Sequence, residues 1–286
     1  MKLIRYDDGR GNTLGAIKDD GVINLGRRWA NLRDDMRALI EAWPNVGPAV
    51  AGLIAGSAPD DALARVRLLA PVSRPGKILA IGLNYADHVK ETGQQPPPHQ
   101  IWFTKAVTSI NPPFDPIELP TASEQLDYEA ELVVVIGKRC RHVPKERAVE
   151  VIFGYCAGND VSVRDWQLRT SQWVLGKSFD THAPIGPWIV TPEEIGDPHA
   201  LGIRCFVNGE QRQSSNTRHL IFNVFDQIAH LSSAMTLEAG DTIFTGTPGG
   251  VGLAMKPPRW LKAGDEIRVE IDRIGAIEAT VRPEAL

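Results

Sequence analysis

The segment LDYEAELVVVIG, residues 126–137, sets Asp127, Glu129 and Glu131 at alternate positions and then turns wholly apolar. Side chains two apart along an extended strand point to the same face. The three carboxylates therefore share one face with Val133 and Val135, while Tyr128, Ala130, Leu132 and Val134 take the other. An acidic face that runs straight into core puts the carboxylates at the rim of a pocket. One reading is a strand end emerging into solvent, where such charges are ordinary. The other is a divalent cation, which removes the repulsion and desolvation penalty of clustered carboxylates. Oxygen donors alone select a hard ion: magnesium, manganese or calcium.

Further residue patterns bear on the same chemistry. In GYCAGNDVSVRD, residues 154–165, Asp160 closes an apolar run that begins at Val151, and serves either as a third ligand or as half of an Asn159–Asp160 turn. NYADHVKETG, residues 84–93, reads as a short helix with Asn84 able to cap it and Gly93 able to end it. His88 and Glu91 then share a face. A carboxylate on one imidazole nitrogen frees the other to take a proton from water, although an exposed helix pair has the same spacing. QQPPPHQ, residues 94–100, cannot be helical and suits either a lid tether or a surface loop.

LGKSFDTHAPIGP, residues 175–187, contains GKS, but Ser171 stands where a phosphate loop needs its first glycine, so Lys177 is a cation in a turn and not a nucleotide anchor. TGTPGGVG, residues 245–252, misses the dinucleotide fingerprint because Met255 holds the third glycine position. It still offers exposed backbone amides and Thr hydroxyls suited to a carboxylate. GxSxG and HExxH are both absent, and His219 and His230 fall on or near a helical pattern that suits a structural role.

The elements that must position these groups are mostly strands. Short strands with Asp-Gly turns open the chain, and helical patterns follow over 28–41 and 60–69. LLAPVSRPGK, residues 68–77, reads as a linker with a boundary near residue 72. Beyond it come KILAIG, IWFTK, PIELP, GPWIV, IRCFVNGEQRQ, DTIFTG, DEIRVEI and AIEATV, with helices expected only in KERAVEVIF and HLIFNVFDQIAHLSSAM. Val207-Asn208-Gly209-Glu210 has the form of a primed two-residue hairpin. Many strands and few helices point to an α+β, mainly β, sandwich or roll.

Composition narrows the partners. Lys and Arg total 31 against 35 Asp and Glu, a net charge of −4 without blocks of one sign, which disfavours nucleic acid and anionic membrane. A small molecule or a second copy of the chain remains. Cys140, Cys156 and Cys205 are far apart and form neither a disulfide framework nor a zinc pattern, as expected in a reducing cytoplasm. The opening MKLIRYDDGRGNTLG has no apolar leader, and no run reaches the roughly 18 apolar residues of a membrane span.

Taken in order over residues 75–283, GLNYADHVKE, DYEAELVVVIGK, GYCAGNDVSVRDWQ, GKSFDTHAPIGPW and TGTPGGVG resemble the motifs of the fumarylacetoacetate hydrolase family. The resemblance implies a mixed β-sandwich roll at 73–286 behind a small N-terminal α/β domain at 1–72, usually as a homodimer. It implies Mg2+ or Mn2+ on Glu129, Glu131 and Asp160, a water-activating pair at His88 and Glu91, and enolate-stabilising donors at Gln167 and Lys177. Thr247, Gly246, Arg164 and Tyr85 fall on the substrate side, and Asp127 supports the site without binding the ion. The implied reaction is hydrolysis of a carbon–carbon bond in a 2,4-dioxo acid such as fumarylpyruvate or a diketo-deoxy sugar acid. The alternatives are an oxaloacetate-type decarboxylase, a tautomerase or isomerase of hydroxydienedioates, and a metal-binding homologue without catalysis.

Overall fold

The computed structural model describes residues 1–32, 34–91, 93 and 95–285. Runs rich in Val and Ile pair into a long mixed sheet whose central path is Lys2–Asp7, Ala183–Val190, Ile152–Asn159, Ala130–Ile136, Thr242–Phe244 and Ile78–Gly82. Pairing along this path is antiparallel except between Thr242–Phe244 and Ile78–Gly82, which run parallel. Because Lys2–Asp7 pairs with Ala183–Val190, the sheet runs on without a break between the N-terminal strands and the rest. A five-stranded sheet of Glu210–Asn216, Gly202–Val207, Glu266–Ile271, Gly275–Pro283 and Ile117–Leu119 completes the mainly β, α+β architecture.

The strand Ala130–Ile136 is buried along its whole length, and its two faces meet different cores. Ala130, Leu132, Val134 and Ile136 join one apolar cluster, with Tyr128. Val133 and Val135 join the other, beneath the helix Met36–Gly56. The alternation in the sequence is thus the alternation of a strand covered on both sides.

Local departures from expectation have physical causes. The helix expected over 28–41 lies at Met36–Gly56, capped by Asp35 and carrying Pro44 and Pro48, both exposed, which obscure its period. By length and composition this helix could cross a membrane, contrary to the expectation above; in the fold its Met36, Leu39, Ile40 and Val50 pack onto the sheet. Residues expected to be helical over 60–69 form two short strands, Asp61–Ala62 and Arg67–Leu69, around a single tight turn, because pairing with Gly21–Asn24 and Lys2–Asp7 overrides local propensity. KERAVEVIF divides into a 3-10 segment, Lys145–Val151, and the strand that begins at Ile152. The helix expected in HLIFNVFDQIAHLSSAM starts only at Val224, where Asn223 and Asp226 form a capping box. The hairpin at Asn208 and Gly209 has both residues at positive φ, 52° and 77°, as a primed turn requires.

One buried histidine makes the fold acid-sensitive. His182 lies at the start of Ala183–Val190, with Nε2 2.8 Å from the Glu118 carbonyl oxygen, and burial pushes its pKa down to about 3. Its folded pKa lies below its unfolded value of 6.5, so its contribution is complete above that pH and is lost as pH falls towards 3. Urea titrations between pH 7 and pH 4 should show stability falling by up to about 1.4 kcal/mol per pH unit from this group. His182→Gln should flatten that slope; an unchanged slope would remove His182 as its source.

Candidate active site and metal centre

The backbone brings the acidic residues together by interrupting a strand. Leu126–Asp127 pairs with Ser162–Val163, extended pairing then lapses, and Ala130–Ile136 resumes in the main sheet. At the lapse Asp160 N–H donates to the Glu129 carbonyl at 2.9 Å and Glu129 N–H donates to Asn159 Oδ1 at 2.9 Å. These bonds lock the two ligand-bearing segments side by side. One carboxylate oxygen each from Glu129, Glu131 and Asp160 then lies within 4.8 Å of the others. All three residues are buried, at 6%, 1% and 0% exposure, so a solvated strand end is ruled out.

Cations surround this cluster. Lys177 Nζ donates to Glu129 Oε2 at 2.8 Å and Asp160 Oδ2 at 2.7 Å. Lys105 Nζ donates to Asp160 Oδ1 at 2.6 Å and to the Val161 carbonyl at 3.1 Å. Arg164 Nη1 lies 2.6 Å from Glu129 Oε1 and donates to Gln167 Oε1 at 2.8 Å. The loop at Gly176 runs so close to the helix Arg164–Gln167 that a Cβ there would overlap the Gln167 backbone. This contact delivers Lys177 beside Arg164.

The electrostatics divide the carboxylates. Burial pushes Glu129 up, but Lys177 and Arg164 outweigh it and hold the carboxyl at about 2. Glu131 is driven well above the usual range by burial and by the Asp160 and Glu129 charges, which Lys177 and the Gly246 N–H at 2.7 Å offset only in part. An ionised Glu131 therefore calls for further positive charge beside it. Three hard oxygen donors with that deficit fit a divalent cation.

Asp127 has a different task. Its Oδ1 accepts the Gly252 and Tyr128 N–H groups at 2.8 and 2.9 Å; its Oδ2 accepts Leu253 N–H at 3.0 Å and Arg164 Nε at 2.8 Å. The carboxylate thus ties Arg164 to the 250–254 turn. It does not line the cavity that Glu129 and Glu131 face.

That cavity, of about 640 Å3, joins the acidic cluster to His88 and Glu91. His88 Nδ1 is 3.6 Å from Glu91 Oε2, an ion-pair distance beyond hydrogen-bond length, and Glu91 accepts the Gly250 N–H at 2.9 and 3.1 Å. The adjacent imidazole holds the Glu91 carboxyl below its usual range against partial burial, and the Gly250 amide adds to this. Arg164, Gln167, Lys177 and Thr247 line the same space, and Ile81, Phe103, Trp173 and Leu253 supply apolar wall.

Two residues expected on the substrate side do not line the cavity. Tyr85 is fully buried, its ring in the apolar core and its hydroxyl without a hydrogen-bond partner among the described residues, and Gly246 donates its N–H to Glu131 Oε2. Of the expected lid, residues 92 and 94 lie outside the described residues. Sequence reasoning missed Lys105, whose one signal was a lysine closing the apolar strand Ile101–Lys105. It also missed Gln213, which donates to Thr247 Oγ1 and the Pro248 carbonyl at 2.8 Å each and accepts the Ala130 N–H at 2.9 Å.

Fold and site together define a β-roll protein built around a divalent-cation-type oxygen cluster inside a small-molecule cavity. Residues 77–282 match the model of the fumarylacetoacetate (FAA) hydrolase C-terminal domain, and the chain belongs to that family. It is 41% identical to the oxaloacetate tautomerase fahd2, mitochondrial, of Xenopus laevis, over 98% of this chain and 90% of that one. Maleylpyruvate hydrolase from Sphingobium sp. SYK-6, solved with manganese(II) and pyruvate, superposes with a TM-score of 0.84 at 33% identity, covering both chains fully. A 5-carboxymethyl-2-hydroxymuconate delta-isomerase from Mycobacterium smegmatis superposes at 0.80 with 35% identity, again over both full chains.

Asp127 and Glu131 should separate experimentally. Asp127→Asn confronts backbone donors with an amide and takes one of two carboxylates from Arg164, so chemical denaturation should show a loss of about 1–3 kcal/mol, with metal affinity down about tenfold. Glu131→Gln relieves carboxylate repulsion and should leave the metal-free fold at least as stable, while calorimetry shows divalent-ion affinity down about 100-fold or more. Wild-type stability in Asp127→Asn would refute this division.

Proposed function

We propose that the protein is a divalent-metal-dependent enzyme of keto–enol chemistry, and that it interconverts the keto and enol forms of oxaloacetate. The observation that carries this reading is one cavity lined at one end by Glu129, Glu131, Lys177 and Arg164, with Asp160 close behind the two glutamates, and at the other by a proton-transfer pair, His88 and Glu91. Likeness to an oxaloacetate tautomerase over nearly the whole chain supports it.

The residues divide the work. Mg2+ or Mn2+, held by Glu129, Glu131 and Asp160, would supply Lewis-acid stabilisation of charge on the 2-oxo oxygen. Lys177, held by Glu129, would bring an ammonium to the same oxygen, and Gln167, whose Oε1 accepts from Arg164, would point its amide N–H groups there. Thr247 Oγ1, held by Gln213 and donating to the Ala130 carbonyl at 3.0 Å, faces the cavity where a substrate carboxylate would lie. His88, steadied by Glu91, moves the proton between C3 and solvent. Phe103 and Trp173 limit water around the enolate. Cys140, Cys156 and Cys205 are free thiols, which suits a reducing compartment, the cytoplasm or the mitochondrial matrix. A homodimer is part of the proposal.

A second reading, hydrolytic cleavage of a 2,4-dioxo acid, uses His88 and Glu91 on water instead of on carbon. Likeness to maleylpyruvate hydrolase favours it. The two are separated by following enol absorbance with oxaloacetate and pyruvate release with an acylpyruvate. In the first reading His88→Ala loses roughly 100-fold or more of tautomerisation, with divalent-ion binding intact. Faster pyruvate release than tautomerisation in the wild type would install the hydrolase reading instead.

A further inference from the structure

A 2-oxo dicarboxylate brings two carboxylates into the cavity, and the inner end is charged to hold one. Four buried carboxylates, Asp127, Glu129, Glu131 and Asp160, meet three buried cations, Lys105, Arg164 and Lys177. Adding a divalent ion leaves one net positive charge there. That charge matches the carboxylate beside the 2-oxo group and leaves the distal carboxylate without a counter-charge.

Among the charged groups lining the cavity, Glu91 is anionic and held by Gly250, whereas Arg164 and Lys177 are already bonded to carboxylates. Lys256 also lines the cavity, is exposed, and has no hydrogen-bond or ion-pair partner among the described residues. It stands three residues beyond Leu253, whose amide Asp127 holds, so the base of its loop is anchored while its four-carbon stem can swing inward.

We propose that Lys256 is a specificity-determining residue that receives the distal carboxylate of a dicarboxylic 2-oxo acid and makes the site prefer diacids over monoacids. The inference rests on the keto–enol reading above for its substrate class. An unpaired lysine at a partly solvated rim gives a modest, charge-dependent preference, whereas the shape of the apolar wall acts equally on both acids.

The test uses the full-length, magnesium-loaded chain as wild type, Lys256→Met and Lys256→Arg. With oxaloacetate, Lys256→Met should raise KM about tenfold, equivalent to about 1.4 kcal/mol of lost binding, with kcat within about twofold of wild type on the same basis. Pyruvate, as a competing monoacid, should inhibit both proteins equally, and Lys256→Arg should restore most of the oxaloacetate affinity. An unchanged KM, or equal weakening of oxaloacetate and pyruvate, would overturn the assignment. If the wild type fails to turn over oxaloacetate, the reaction proposed above falls on its own. Calorimetry with 2-oxoglutarate and pyruvate then tests Lys256 directly: the diacid preference must be present in wild type and lost in Lys256→Met, and any other pattern rejects it.

Discussion

Everything in this structure answers to the burial of Glu129, Glu131 and Asp160 in the interior of a sheet. Three carboxylates out of contact with water are tolerable only if charge is supplied from the protein or from an ion. The protein supplies much of it: Lys105, Lys177 and Arg164 are drawn from three separate segments, and each is itself almost wholly buried. Lys177 and Lys105 take the two oxygens of Asp160 from different sides. The charge is left incomplete at Glu131, whose carboxyl is pushed up by burial and its neighbours and which lines the cavity.

Geometry follows from that demand. A continuous strand from Leu126 to Ile136 would have placed Asp127 in line with the other two acids. The lapse at Tyr128 and Glu129 turns it instead towards Gly252, Leu253 and Arg164. One acid therefore becomes a clamp on the loop that walls the cavity, and the two beyond it face the ion position. Gln213, on the strand Glu210–Asn216, reaches across to Thr247 and Ala130 and ties the five-stranded sheet to the same point.

How much of this could be read from the chain depended on range. The period of two in residues 126–137 revealed which side chains share a core, and the separation of Val133 and Val135 from Leu132 and Val134 holds in the two apolar clusters. Asn208-Gly209 carries its turn type in its own residues. The pairing of His88 with Glu91 was visible as helical spacing. What local pattern could not show was anything determined by distant strands: the 60–69 segment folds as it does because of residues near the N-terminus, and Lys105 matters only because Asp160 arrives beside it. Tyr85 misled because it lies three residues before His88, which lines the cavity, while its own ring turns into the apolar cluster. The fold class survived these misses because it depends on the count and kind of strands more than on any single boundary.

The short helix Ala86–Glu91 is held apart from the acidic cluster. Asn84, just before it, is fastened to Phe222 and Thr245, and Glu91, at its end, is fastened to Gly250. Among the described residues no hydrogen bond of Glu129, Glu131, Asp160 or Lys177 runs to this helix, although the His88 charge acts on Glu129. The two groups of residues are held in different ways: the carboxylates and Lys177 by strands and by one another, His88 and Glu91 by a six-residue helix fastened at its two ends. A change within this helix can therefore shift His88 relative to the carboxylates while leaving the bonds that hold Glu129, Asp160 and Lys177 together in place.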